Sequence, residues 1–240
     1  MRTIGLLGGM SWESTAVYYR RINEEVRARL GGLNSAEVLM RSVNFDDIVA
    51  LQRADQWDRA ARLLSALAGD LERSGAACVV ICTNTMHKLA DAVQEAVSVP
   101  VLHIADVTAA EVMRAGLRRP LVLATRYTME QDFYVGRLRD KFSLDPLVPD
   151  ADDRTFVHQT IFDELCQGVV RDSSRQRFRE IIARGHAKGA DCVILGCTEI
   201  GLLIGDKDTD LPVFDSTLIH ADTAVRFSLA NDDAPRLSAA

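Results

Sequence analysis

The feature that most constrains the fold of this chain is an internal repeat. Residues 75–85 (GAACVVICTNT) align without a gap on residues 189–199 (GADCVILGCTE), 114 positions later. Two shorter segments recur in the same order at nearly the same spacing, residues 6–8 with 122–124 and residues 99–101 with 211–213. Three ordered matches indicate two homologous lobes of about 110 residues, within the usual size range of small domains.

Between the repeated segments, short apolar runs alternate with longer amphipathic stretches. Apolar residues recur at helical spacing at positions 18, 22, 26 and 30 and at positions 60, 64, 67 and 71. Eight strands are predicted, at residues 3–7, 37–42, 78–81, 101–104, 121–124, 145–148, 192–195 and 213–214. This alternation is typical of parallel sheets covered by helices. The predicted fold class is α/β, with two pseudo-symmetric lobes, each a small parallel sheet flanked by helices.

The repeat also predicts how the chain is divided. We expect residues 1–108 with 213–230 to form the N-terminal lobe, and residues 109–212 to form the C-terminal lobe. Residues 231–240 (NDDAPRLSAA) include proline, acidic and small residues and are predicted to be a loose tail. Sheets of this kind bind ligands at the carboxyl ends of their strands, so the active site is expected in the cleft between the lobes.

Composition narrows the functional class. The chain has 240 residues, 48% of them hydrophobic, which is ample for a folded core. A net charge of −6 argues against a nucleic-acid partner, and the lack of a long apolar run argues against a membrane span. Five cysteines, an odd number, fit a reducing compartment better than a disulfide scaffold. We therefore expect a cytoplasmic protein that acts on a small molecule.

Both copies of the long repeat end a buried strand in small polar residues. In the first copy these are Thr83, Asn84 and Thr85, and in the second they are Cys197, Thr198 and Glu199. Hydroxyl and amide groups at strand ends, followed by a helix start, suit the binding of a carboxylate. The alternative for either segment alone is ordinary helix capping, and the repeat makes that alternative weaker.

The cysteines differ in their predicted roles. Cys78 and Cys192 lie in mid-strand and are predicted to be inert core residues, and Cys166 lies on the apolar side of a helical pattern. Cys82 and Cys197 end their strands and are the candidates for chemistry. Cys78 and Cys82 would lie about 13 Å apart on an extended strand, too far to share a zinc ion. No metal site is predicted.

Four segments resemble the aspartate/glutamate racemase family. They are residues 5–15 (GLLGGMSWEST), 82–87 (CTNTMH), 125–129 (TRYTM) and 195–200 (LGCTEI), and the resemblance extends to about Phe227. It implies an amino-acid racemase that needs no cofactor and has two pseudo-symmetric α/β lobes. It also implies that a thiol from each lobe flanks the α-carbon of the substrate, one removing the proton and the other returning it on the opposite face.

This chain departs from the family pattern at the first thiol. In the family a cysteine directly precedes Asn-Thr, whereas here Thr83 precedes Asn84 and Cys82 lies one position earlier. The internal repeat likewise pairs Thr83 with Cys197. Because side chains alternate between the two faces of a strand, Cys82 is predicted to point away from the face that carries Thr83. The predicted catalytic pair is Thr83 and Cys197, as in the subgroup that prefers L-aspartate and L-glutamate.

The resemblance also implies a set of substrate-binding residues. Groups that would hold carboxylates are Met10, Gln52, Asn84, Thr85, Thr125 and Thr198. Glu199 and Glu164 would orient the amine or polarise Cys197, and Arg126 would pair with a side-chain carboxylate unless it is a surface residue. In the predicted mechanism Cys197 takes the α-proton from the L-enantiomer. The Thr198 hydroxyl and nearby N–H groups are expected to lower the pKa of the Cys197 thiol.

Four alternatives stay open at this point. The same scaffold could carry maleate isomerisation, hydantoin racemisation or malonate decarboxylation. A non-catalytic protein that binds amino acids or dicarboxylates is another, because Thr83 replaces a thiol. The sequence leaves the oligomeric state open, with a homodimer as the common assembly among such enzymes.

Overall fold

The computed structural model describes residues 1–230, so the predicted tail at 231–240 lies outside the described residues. The strands are β1 (Ile4–Gly8), β2 (Val38–Ser42), β3 (Cys78–Ile81), β4 (Val101–Leu102), β5 (Pro120–Ala124), β6 (Cys192–Gly196) and β7 (Val213–Asp215). The helices are α1 (Trp12–Leu30), α2 (Phe45–Arg53), α3 (Trp57–Arg73), α4 (Ala90–Glu95), α5 (Ile104–Arg114), α6 (Arg126–Glu130), α7 (Val135–Phe142), α8 (Ala151–Asp163), α9 (Asp172–Ala187) and α10 (Ser216–Leu229). No helix among residues 1–230 is long and apolar enough to cross a membrane.

The strands form two parallel sheets, and the predicted α/β fold class is confirmed. The first sheet has the order β2-β1-β3-β4 and the second has the order β5-β6-β7. The repeated segments of the sequence occupy equivalent strands, since β1, β3 and β4 correspond to β5, β6 and β7. The central strands β1, β3, β5 and β6 are buried along their whole length, as expected for sheets with helices on both faces.

The repeat also extends to the turns that precede the central strands. Gly75 ends α3 and Gly189 follows α9, and their φ angles are +102° and +94°. In each lobe the following residue donates its N–H to a carbonyl five positions back, Ala76 to Leu71 and Ala190 to Gly185. This is the glycine-dependent helix ending known as the Schellman motif, and it sets the chain up for β3 and β6 in the same way.

The strand predicted at residues 145–148 is not formed. A single parallel bridge joins Leu147 to Leu121 of β5. In the second sheet this bridge takes the edge position beside β5 that β2 takes beside β1 in the first sheet. Pro149 has no N–H to donate at the next position of the ladder, so the pairing ends there, whereas before the bridge the Asp145 N–H still donates to the Arg118 carbonyl at 2.8 Å.

The boundary predicted at residue 213 needs correction. β7 pairs with β6, so residues 213–215 belong to the second sheet rather than to the lobe of residues 1–108. The chain then crosses back, and α10 places Ala221, Ala224 and Val225 in the core around Ile4 and Tyr18. The C-terminal helix therefore ties the two sheets together.

Candidate functional site

A cavity lies where strand ends from both sheets meet. The predicted site residues that line it are Met10, Gln52, Thr83, Asn84, Thr85, Thr125, Cys197, Thr198 and Glu199. The β3 and β6 ends supply Thr83 and Cys197, which are equivalent positions of the repeat. The cavity also has apolar walls, formed by Phe45, Met86, Ile161 and Phe162, which the sequence did not single out, and by Cys166, which the sequence places on the apolar side of a helix.

Glu164 is the predicted site residue that the structure does not bring to this cavity. It follows α8, and its carboxylate accepts a hydrogen bond of 2.7 Å from the Ser174 hydroxyl. Arg171 lies 3.8 Å from the same carboxylate. Its contacts are therefore with the segment that begins α9. Arg126, the predicted partner for a side-chain carboxylate, is exposed and is not a lining residue.

The turn after β1 requires two glycines. A Cβ on Gly8 would lie 2.4 Å from a Thr15 side-chain carbon, and a Cβ on Gly9 would lie 2.3 Å from the Val43 carbonyl oxygen. Gly9 also has φ of +86°, which other residues adopt only at a cost. This tight turn brings Met10 to the cavity and places Ser11 at the N-cap of α1.

The end of β3 separates Cys82 from Thr83. Cys82 is fully buried in the core beside Tyr18, and burial raises the pKa of its thiol. Thr83 is half-buried and lines the cavity. The strand alternation that predicted opposite directions for these two side chains agrees with this placement.

A buried histidine holds the backbone at Thr83. The Nε2 atom of His87 accepts a 3.1 Å hydrogen bond from the Ile104 N–H, so the ring proton lies on Nδ1. That Nδ1 atom is 2.7 Å from the Thr83 carbonyl oxygen, to which it donates. Both ring nitrogens are used for structure, and His87 is not among the lining residues.

Hydroxyl and amide contacts join the two lobes at the site. The Thr85 and Thr125 hydroxyls lie 2.9 Å apart, one from each sheet. The Asn84 amide donates to the Ser216 hydroxyl at 3.1 Å, and Ser216 donates to the Leu195 carbonyl at 2.7 Å. These contacts fix both strand ends relative to each other.

Glu199 is buried in a group of hydroxyl donors. It is only 4% exposed, and its Oε1 atom accepts hydrogen bonds from Ser11, at 2.7 Å, and from Ser14. Its Oε2 atom accepts hydrogen bonds from the Thr198 hydroxyl at 2.6 Å and from the Cys197 thiol at 3.0 Å. Donors from the start of α1 and from the β6 end therefore fix both carboxylate oxygens, and one of these oxygens faces the thiol.

The pKa of the Cys197 thiol differs from the sequence-based expectation. The residue is 8% exposed, and burial, followed by the charge of Glu199, raises its pKa well above the ordinary value. The Thr198 hydroxyl, predicted to stabilise the thiolate, donates to Glu199 instead. Cys197 is therefore a thiol that donates to a carboxylate, and a positive charge nearby would favour its conversion to a base.

The arrangement combines a thiol and a hydroxyl on opposite lobes with several neutral hydrogen-bonding groups. Among residues 1–230, no group of three or more histidine, cysteine, aspartate or glutamate residues could hold a metal ion. An ammonium group near Glu199 and a carboxylate near the Asn84, Thr85 and Thr125 side chains would fit the polarity of the walls. The cavity can therefore orient an amino acid with its α-carbon between the lobes.

Known racemases are similar to this chain over most of its length. The family model described as Asp/Glu/Hydantoin racemase matches residues 7–224. The chain is 22% identical to the "Broad specificity amino-acid racemase RacX" of Bacillus subtilis over 95% of its own length and 98% of that protein.

Solved structures show the same two-lobed architecture. A candidate Asp/Glu racemase from Yersinia pestis is 48% identical with a TM-score of 0.91, covering 95% of this chain and 100% of that one. An aspartate racemase homologue from Pyrococcus horikoshii is 33% identical with a TM-score of 0.84, covering 95% and 99%.

Proposed function

The chain belongs to the Asp/Glu/hydantoin racemase family, and on that premise we propose that it racemises α-amino acids without a cofactor, using Cys197 and Thr83 on opposite faces of the α-carbon. The observation that supports this proposal is the placement of these two residues. They end equivalent strands of the two lobes, and both line one cavity. A two-base racemase needs this arrangement, because the proton leaves one face of the α-carbon and returns to the other.

The first step is the formation of the Cys197 thiolate. Its proton has an acceptor in Glu199, whose Oε2 atom lies 3.0 Å from the sulfur. A substrate ammonium group bound beside Glu199 supplies the positive charge that favours the thiolate. The Ser11, Ser14 and Thr198 hydroxyls hold Glu199 in place for this exchange.

The thiolate then takes the α-proton. The Cα–H bond breaks, an S–H bond forms, and the electron pair left on the α-carbon spreads into the α-carboxylate. Hydroxyl and amide donors on Asn84, Thr85 and Thr125 stabilise that carboxylate as its charge grows. The Thr83 hydroxyl then gives its proton to the opposite face of the α-carbon, which forms the opposite enantiomer, and Thr83 takes a proton back from solvent. Cys197 keeps the α-proton as its thiol proton, and Glu199 releases the proton that it took in the first step to solvent, which restores the starting state.

The two faces are chemically unequal. A threonine hydroxyl is a much weaker base than a thiolate, so abstraction from the face of Thr83 is the harder direction. Enantiomers are equally stable in water, and kcat/KM must therefore be equal for the two directions. The preference for L-enantiomers predicted from the family resemblance then takes the form of unequal kcat and KM values. Aspartate and glutamate are the substrates that the same resemblance predicts, although the steps at the α-carbon are common to all amino acids.

The test is exchange of the α-hydrogen in D₂O without added cofactor. We expect deuterium in the amino acid and loss of optical activity with the wild-type protein, and neither with Cys197→Ser. The matched control is Cys82→Ala, which removes a neighbouring thiol in the core and is expected to retain exchange. Loss of exchange in Cys82→Ala together with normal activity in Thr83→Ala would contradict the assignment. Binding of amino acids without any exchange would favour a binding protein.

A further inference from the structure

We propose that the preferred substrate carries an uncharged, hydrogen-bonding side chain, and that Gln52 is the residue that selects it. This inference rests on the proposed racemase activity and narrows its substrate. It departs from the aspartate and glutamate preference that the family resemblance predicts. Three features of the cavity lead to it: its charge, the environment of Gln52, and the position of the nearby basic side chains.

The charge of the cavity does not suit a second substrate carboxylate. Among the described residues that line it there is no arginine, lysine or histidine, and the single acidic one is Glu199. An amino acid with a neutral side chain enters as a zwitterion, whose ammonium group matches Glu199. An anionic side chain would add a second buried negative charge to that of Glu199 without a cation to pair with, which is costly.

Gln52 is a buried polar group whose hydrogen-bonding capacity is mostly unused. It lies near the end of α2, is 8% exposed and lines the cavity. Within residues 1–230, the one recorded side-chain contact of its amide is with the Met86 sulfur, 3.1 Å from Nε2. A thioether is a weak acceptor, so a substrate group can replace it at little cost.

The amide of Gln52 carries both a donor and an acceptor. A hydroxyl or carboxamide side chain can satisfy both, whereas a carboxylate can use only the donor and faces the amide oxygen with its own charge. The neighbouring walls at Phe45 and Phe162 are apolar, so they offer no other polar group there. Gln52 therefore distinguishes a neutral side chain from an ionised one of the same size.

Basic side chains lie beyond Gln52 and Phe162. These two residues also line a second, more open depression, which includes Arg53 and His158. Arg53 is exposed, and partial burial lowers the pKa of His158, which disfavours its charged form. Solvent screens the Arg53 charge, so it stabilises an anion inside the cavity only weakly.

The experiment compares pairs of amino acids that differ in side-chain charge at nearly constant shape. Wild-type kcat/KM is measured by α-hydrogen exchange for asparagine against aspartate and for glutamine against glutamate. We expect the amide member of at least one pair to exceed its carboxylate by tenfold or more. Equal values, or a preference for the carboxylates, would overturn the inference while leaving the racemase activity intact. Exchange with none of the four would overturn both.

Two variants locate the selectivity. Gln52→Arg supplies the missing cation. We expect it to raise kcat/KM for the carboxylate substrate, relative to kcat/KM for the amide substrate, by at least tenfold. Arg53→Gln removes the exposed cation of the outer depression and is expected to leave the wild-type ratio unchanged. If Arg53→Gln lowers glutamate turnover selectively, the side chain is recognised in the outer depression and the assignment to Gln52 is wrong.

Discussion

Acidification is expected to destabilise this protein through three neighbouring histidines behind the end of β3, of which His87 and His220 are buried and His103 is half-buried. The ring centroids of His103 and His220 lie 4.8 and 5.6 Å from that of His87. Burial lowers the pKa of His87 to about 4, of His103 to about 2 and of His220 to about 3. His220 uses both nitrogens, one with the Tyr18 hydroxyl at 2.8 Å and one with the Leu102 carbonyl at 2.7 Å. All three rings are therefore neutral in the folded protein near neutral pH.

The size of the effect follows from the difference between folded and unfolded states. An unfolded histidine has a pKa of about 6.5, so below that pH the unfolded chain binds protons that the folded chain does not. At pH 5.5 each histidine stabilises the unfolded state by about 1.4 kcal/mol, and together the three do so by about 4 kcal/mol. Stability is complete above pH 6.5 and falls as the pH decreases toward the folded pKa values. A loss of this size is a large part of a total of about 5–15 kcal/mol.

Urea denaturation at pH 7.5 and pH 5.5 measures this loss. His103 accepts a hydrogen bond from the Ala105 N–H at the start of α5, and asparagine serves equally well at such a position. His103→Asn therefore removes one titrating ring and keeps the cap, and is expected to reduce the pH-dependent loss by about 1.4 kcal/mol. The exposed His186, changed to asparagine, is the matched control. If the wild-type free energy of unfolding changes by less than about 1 kcal/mol between the two pH values, the account of the three rings is wrong.

Two further predictions concern the turn after β1 and the first turn of α1. Ser14→Ala removes a hydrogen-bond donor to Glu199, which in turn contacts the Cys197 thiol. We expect steady-state kinetics to show a kcat lower by about tenfold and a smaller change in KM. An unchanged kcat would contradict the role of Glu199. Gly9→Ala is expected to lower the free energy of unfolding by more than about 2 kcal/mol, because the new Cβ would meet the Val43 carbonyl. The control is Gly31→Ala, at a position with positive φ but open space around it, which should lower the free energy of unfolding less. Equal losses in the two variants would contradict the steric argument.

Much of the fold was predictable because the sequence contains an internal repeat, so that the same strand pattern occurs twice. The repeat of residues 75–85 at 189–199 identified the central strands β3 and β6, and their ends identified the site. The strand predicted at residues 145–148 was wrong, because a single bridge forms there and Pro149, which has no N–H, stops the pairing from extending.

The parts of the site that come from packing were not predictable in the same way. Phe45, on α2, and Phe162, on α8, reach the cavity through the way these helices cover the sheets, which leaves no local pattern in the sequence. The raised pKa of Cys197 was also missed. Its direction depends on whether Thr198 donates to the sulfur or to Glu199, and only the folded geometry decides that.

The most direct test of the central claim is isotope exchange by Thr83→Ala, followed separately for the two enantiomers. The variant is incubated in D₂O with an L-amino acid that the wild-type protein racemises. If Cys197 works from one face and Thr83 from the other, deuterium enters the L-amino acid while formation of the D-enantiomer is strongly reduced. Equal loss of exchange and inversion, or full retention of both, would contradict a pair of bases on opposite lobes.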